Sequence, residues 1–100
     1  MSFMTRWGRT DHQKKLAEGV YIVGTPSHGG VIVKKTVADN YLSRKAKEVA
    51  GYPDYGWYHF EEDCDWAVFA KENPNIVPKH WLQYVDASLE QYNPDYLHAN

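Results

Sequence analysis

The stretch Gly19-Val20-Tyr21-Ile22-Val23-Gly24-Thr25-Pro26-Ser27-His28-Gly29-Gly30-Val31-Ile32-Val33 decides the fold. Two β-branched and aromatic runs flank a connection rich in glycine and proline. Such runs favour extended chain, and Gly and Pro between them mark a turn. The short spacing predicts an antiparallel hairpin, 20–24 against 31–35. Both strands are apolar on both faces, so each face requires cover, from helices or from a partner.

Working outward, the apolar residues Ala38, Tyr41, Leu42, Ala46, Val49 and Ala50 recur at helical spacing. Thr36 and Asp39 resemble a capping box and Gly51-x-Pro53 a stop, which predicts a helix over 37–50. The aromatic run 55–60 reads as a third strand. Acids followed by Trp66, Phe69, Ala70 and Lys71 predict a helix over 62–72, oriented favourably for its dipole. Pro78 suits a first helical turn. Trp81, Leu82, Val85, Leu89 and Tyr92 then make one stripe of a helix over 78–92. Residues 1–18 are polar and mixed, with Trp7 and Leu16 as anchors. The termini, 1–5 and 94–100, are expected to be mobile. The expected class is α+β: one domain over 1–100, a small antiparallel sheet packed on one side by about three helices.

Composition narrows the function classes. A chain of 100 residues, 43% apolar and 24% charged, is globular and has room for one core. A net charge of −2 argues against a general grip on nucleic acid or on an anionic membrane. The single cysteine, Cys64, excludes an internal disulfide framework and a multi-cysteine zinc site. No apolar run is long enough to span a bilayer, and the first residues lack a signal-peptide core, so cytoplasmic residence is the expectation. No phosphate-loop, dinucleotide or metalloprotease signature is present, and neither a cofactor nor a metal is expected.

Two polar constellations remain. In Thr25-Pro26-Ser27-His28-Gly29-Gly30 the hairpin loop presents Ser27 and His28, and Gly29 and Gly30 would let a ligand approach the main chain. The same pattern also reads as an ordinary tight turn. Glu61-Glu62-Asp63-Cys64-Asp65 crowds four carboxylates into five residues, as a general acid, a cation site or simple helix-start charge. Cys64 with His28 would make a nucleophile and base, although the neighbouring carboxylates oppose thiolate formation. A zinc site from His28, His59, Cys64 and an acid fits by ligand type without a spacing signature. The chain carries four Trp and eight Tyr against three Phe. Trp66 and Trp81 lie on helical stripes and are assigned to the core. Trp7 and Trp57 adjoin glycines and read either as rings lining a groove, with Tyr58 beside them, or as satellite core packing.

The motifs Thr5-x-Trp7-Gly8, Gly19-Val20-x-x-Val23-x-Thr25-Pro26-Ser27-His28-Gly29-Gly30, Gly56-Trp57-Tyr58 and Glu61-Glu62-Asp63-Cys64-Asp65-Trp66-Ala67 occur in that order. In this the chain resembles a domain-of-unknown-function family of small proteins from phages, plasmids and other bacterial mobile elements. Here His59 and Phe60 separate the Gly-Trp-Tyr and Glu-Glu-Asp-Cys elements. The resemblance implies a genomic setting rather than a reaction. In that setting the expected function is a non-enzymatic, inhibitor-like accessory protein that counters a host defence system. It would bind a host protein or sequester a nucleotide-like signal, without binding nucleic acid directly. The expected binding residues are Ser27, His28, Gly29, Gly30, Trp57, Tyr58, Glu62, Asp63 and Cys64, with Lys34, Lys35 or Arg6 available for phosphate. The alternatives are a small hydrolase or transferase using His28 with Cys64 or Asp63, and an assembly protein that forms a homo-oligomer through its aromatic surface.

Overall fold

The computed structural model describes residues 1–98. The chain opens with a two-stranded ribbon, β1 (Met4–Thr5) against β2 (Gly8–Arg9). A four-stranded antiparallel meander follows: β3 (His12–Ala17), β4 (Val20–Gly24), β5 (Gly29–Lys34) and β6 (Trp57–Glu61). A 3-10 turn (Lys35–Asn40) and helix α1 (Arg44–Ala50) connect β5 to β6. Helix α2 (Trp66–Glu72), a second 3-10 turn (Lys79–Tyr84), α3 (Val85–Tyr92) and α4 (Pro94–His98) complete the α+β fold. No helix among the described residues is long and apolar enough to cross a membrane.

The register explains why β4 and β5 are apolar throughout. Tyr21 lies opposite Ile32 and Ile32 opposite His59, whereas Ile22 pairs with Val31 and Val31 with Phe60. Side chains alternate across a sheet, so these two rows face opposite ways. Val20, Val31, Val33 and Phe60 pack on the helices, where Phe60 meets Phe69 of α2 at 6.1 Å between ring centroids. Val23, Ile32 and Trp57 form a second buried cluster, covered by Phe3, Trp7 and Tyr21. The cover required on the second face is therefore this chain's own N-terminal ribbon. Of residues 1–5, expected to be mobile, Phe3 and Thr5 are packed, whereas Met1, Ser2 and Met4 are exposed: Thr5 is 2% exposed and Phe3 lies 4.7 Å from Tyr21 and 5.0 Å from Trp57.

The predicted hairpin is present, but its neighbours differ in detail. The polar segment 1–18 holds three strands. β3 carries no apolar alternation because His-Gln-Lys-Lys is a charged edge, the composition that discourages pairing with another chain. The third strand starts at Trp57 rather than Tyr55, because Tyr55 adopts φ 57° and breaks the extended run. The helix expected over 37–50 divides at Ser43, whose side chain accepts a hydrogen bond from the Ala46 N–H and caps α1. Asp39 of the supposed capping box instead meets Lys47. The helix expected over 62–72 begins at Trp66, because Glu61–Asp65 turn tightly, with the Asp65 N–H on the Glu61 carbonyl at 3.0 Å. The helix expected over 78–92 is a 3-10 turn followed by α3. In the tail, Tyr96 donates to Glu72, which also accepts from Ser43, so α4 is tied to both α1 and α2. Residues 99 and 100 of the expected mobile tail lie outside the described residues.

Candidate functional site

The connection between β4 and β5 is held by its own hydrogen bonds. The Thr25 N–H donates to the His28 carbonyl at 2.8 Å, the Thr25 hydroxyl donates to the same oxygen at 2.7 Å, and the His28 N–H donates to Thr25 Oγ1 at 3.1 Å. This leaves Ser27 and His28 exposed at the tip. Gly29 and Gly30 are not an open amide cradle. Both are buried inside β5, paired with Gly24, Val23 and Glu61, and the Gly29 carbonyl accepts the Glu62 N–H at 2.9 Å. Their glycine character serves close strand approach: a Cβ on Gly29 would sit 2.6 Å from the Val23 carbonyl oxygen.

That pairing brings the two polar motifs together. One ligand atom each of His28, Glu61 and Asp63 lie within 4.8 Å of one another, and Glu62 points to the helical side. Trp57 and Tyr58 do not join them. Trp57 pairs with Lys34 at the opposite end of β6, and Tyr58 packs against the helices. The zinc set containing His59 is not assembled. His59 is buried under Trp7, its ring 4.9 Å from the indole, and its Nε2 accepts the Arg6 N–H at 3.1 Å.

Cys64 is unsuited to nucleophilic attack. Burial pushes its thiol up to about 11, and the carboxylates of Asp65 and Glu61 add to the rise. No hydrogen bond joins it to His28 among the described residues. Alkylation of Cys64 by iodoacetamide at pH 8 is expected to be about 100-fold slower than that of an unperturbed thiol, because the thiolate fraction falls tenfold per pKa unit. A rate equal to that of a cysteine-containing reference peptide would refute the raised pKa.

The concave feature beside these motifs is a groove of about 380 Å³ between the sheet and the helices. Ile22 lies at its base, and Glu62, Trp66, His80, Trp81 and Tyr84 line it. Trp66 comes from the first turn of α2. Trp81 and Tyr84 come from the 3-10 turn, where residues three apart stack on one side. The two indoles meet edge to face at 5.4 Å and 77°, both half-buried. Trp66 and Trp81 pack against the main core, as assigned from the sequence, and also wall the groove, whereas Trp57 and Trp7 close the second face of the sheet in a satellite cluster. His80 and Tyr84 were not singled out in the sequence. Their signal was the aromatic pair Trp81 and Tyr84 just after Pro78, masked by its fit to a helical core stripe.

The groove's charge is one-sided. Among the described residues no Lys or Arg lines it, and none makes an ion pair with Glu61, Glu62 or Asp63. Arg6 is committed elsewhere, to Asp54 at 2.9 Å and the Tyr52 carbonyl at 2.7 Å. Lys34 ends β5 at the far side from His28. The phosphate cradle of Gly29, Gly30, Lys34, Lys35 and Arg6 is therefore not assembled.

No curated protein and no solved structure matches this chain. The family described as "Domain of unknown function (DUF7007)" matches residues 1–100, the whole length. The chain belongs to the DUF7007 family.

Proposed function

We propose that this domain is a non-enzymatic accessory protein of a phage or another mobile element, and that it counteracts host defence by binding a host protein. The observation that carries the binding reading is the groove walled by Trp66, Trp81 and Tyr84, with the Glu62 carboxylate in its lining and no Lys or Arg among the described residues to neutralise it. Trp and Tyr in a concave site are the residues that most often dominate protein interfaces; here the two indoles are half-buried and Tyr84 is exposed. A local acidic strip adds selectivity for a basic surface, of the kind that holds nucleic acid. A sequestered nucleotide fits less well, because its phosphates would meet carboxylates and no cation. The mobile-element setting rests on the sequence resemblance and is an argument by association.

The test is capture of host proteins from a bacterial lysate by immobilised wild-type, Trp81→Ala, Tyr84→Ala and Tyr55→Ala proteins. Tyr55 is 67% exposed and lies away from the groove. One host protein should be retained by wild type and Tyr55→Ala. Its retention should fall about 30-fold with Trp81→Ala, the loss expected of an aromatic hot spot worth about 2 kcal/mol. Equal capture by all four folded proteins would overturn the assignment of this surface. A nucleotide released on denaturation, with no captured protein, would overturn the choice of partner.

A further inference from the structure

We infer that the groove receives an arginine side chain presented by the protein partner. This rests on the binding reading above and adds to it the chemistry of the contact. Three observations converge on a cation. The lining is mainly apolar and aromatic, with two indoles set nearly perpendicular, so that they form a corner of π faces. Such faces are electron-rich and attract a cation placed over them. Glu62 lines the same groove, and its carboxylate has no hydrogen-bond or ion-pair partner among the described residues. Glu61 and Asp63 adjoin Glu62 in sequence, gathered with His28 outside the groove lining, and also lack a Lys or Arg partner among the described residues, so the field at this end of the groove is negative.

Arginine meets these demands better than lysine. A guanidinium is planar, stacks flat on an indole, and presents a fork of N–H donors that matches a carboxylate. An ammonium is compact and strongly hydrated, and it gains less from a stacked aromatic wall. The groove volume, about 380 Å³, lies within the range of roughly 300–1,000 Å³ typical of small-ligand sites, so it accommodates one long side chain. An aspartate or a phosphate would be repelled by the rim. A neutral aromatic side chain would leave Glu62 desolvated and unpaired.

The test uses the intact chain with ¹⁵N-labelled tryptophan indoles, titrated at pH 8 in the presence of EDTA with acetyl-Gly-Arg-Gly-amide. Comparator peptides carry citrulline, which keeps the shape and loses the charge, or lysine. The indole signals of Trp66 and Trp81 should shift on titration, while those of Trp7 and Trp57 stay in place. Citrulline should bind about tenfold more weakly than arginine, and lysine about threefold more weakly. Glu62→Gln, an exposed and conservative change, should weaken arginine binding about fivefold and leave citrulline unaffected. Equal binding of arginine and citrulline, indifference to Glu62→Gln, or no shift of Trp66 and Trp81 would each overturn the inference. If the host protein still depends on Trp81 while citrulline equals arginine, the binding surface stands and its arginine chemistry falls. If Trp81→Ala leaves capture unchanged, the binding reading itself falls.

Discussion

Gly30→Ala is expected to cost about 3 kcal/mol or more, the upper range for forcing atoms into a filled site. Gly30 has φ 155°, and in that conformation an added Cβ is thrown into the neighbouring strand. It would overlap the Phe60 carbonyl oxygen and lie 3.0 Å from the Glu61 Cα, both backbone atoms that no side-chain rotation can clear. The β5–β6 ladder must then open where it carries Val31, Phe60 and Glu61. Domains of this kind have about 5–15 kcal/mol in total, and each kcal/mol moves Tm by roughly 4–8 °C at this size, so a fall of about 12–24 °C follows. Gly51→Ala is the contrast. It has φ 77° and ψ −150° but no atom within 4 Å of the added Cβ, so only backbone strain of roughly 1–3 kcal/mol applies. Circular-dichroism melts of the two variants separate close approach from backbone strain. Equal and small shifts would mean that β5 and β6 do not approach as described. The variant also bears on the site, because the same pairing sets Glu61 against His28 and turns Glu62 toward the groove.

The sequence exposed the strands whose own composition demands burial and hid those that serve as cover. Val20–Val23 and Val31–Val33 are unmistakable because they sit between two packed faces. The β3 strand is polar since it lies at an edge, and β1 and β2 are two residues each, below any periodicity. The helical region failed differently. Apolar spacing located 37–50 and 78–92 correctly, yet it could not register that Ser43 caps a new helix or that 79–84 winds as a 3-10 turn. That second detail decides the site. Wound as α-helix, Trp81 belongs to a core stripe; wound as 3-10, it shares a side with Tyr84 and meets Trp66 edge to face in the wall of the groove.

The polar motifs were legible as a pair and misread in their parts. The convergence of His28 with Glu61 and Asp63 follows from the strand register, which a hairpin and a third strand already imply. The glycines between them looked like a ligand cradle because sequence cannot distinguish a glycine that makes room for a ligand from one that makes room for a strand. His59 was weighed only as a metal ligand. Its burial depends on Trp7, more than fifty residues earlier, and no local pattern reports such a contact.

That burial makes His59 an acid-sensitive point of the fold. Burial first, and the Arg6 charge second, lower its pKa from 6.5 to about 4. The Trp57 backbone and Asp54 act weakly in the opposite direction. Between pH 6.5 and 4 the unfolded chain therefore binds a proton that the folded chain does not. Stability is at its full value above the unfolded pKa and declines as pH falls toward 4. The decline from this one group is about 3 kcal/mol, at 1.36 kcal/mol for each pH unit between 6.5 and about 4. Urea unfolding at pH 7.5 and pH 4 should show this loss in wild type, added to whatever the carboxylates contribute. In His59→Gln the side-chain oxygen can still accept the Arg6 N–H, but nothing titrates. Its loss over the same range should be smaller by about 3 kcal/mol, whatever its stability at pH 7.5. Parallel pH profiles for the two proteins would remove His59 from the account. Protonation also takes away the acceptor that holds the Arg6 N–H beneath Trp7, so the ribbon over Tyr21, Ile32 and Trp57 should loosen first. A red shift of tryptophan emission on acidification, present in wild type and absent in His59→Gln before global unfolding, is the expected signature.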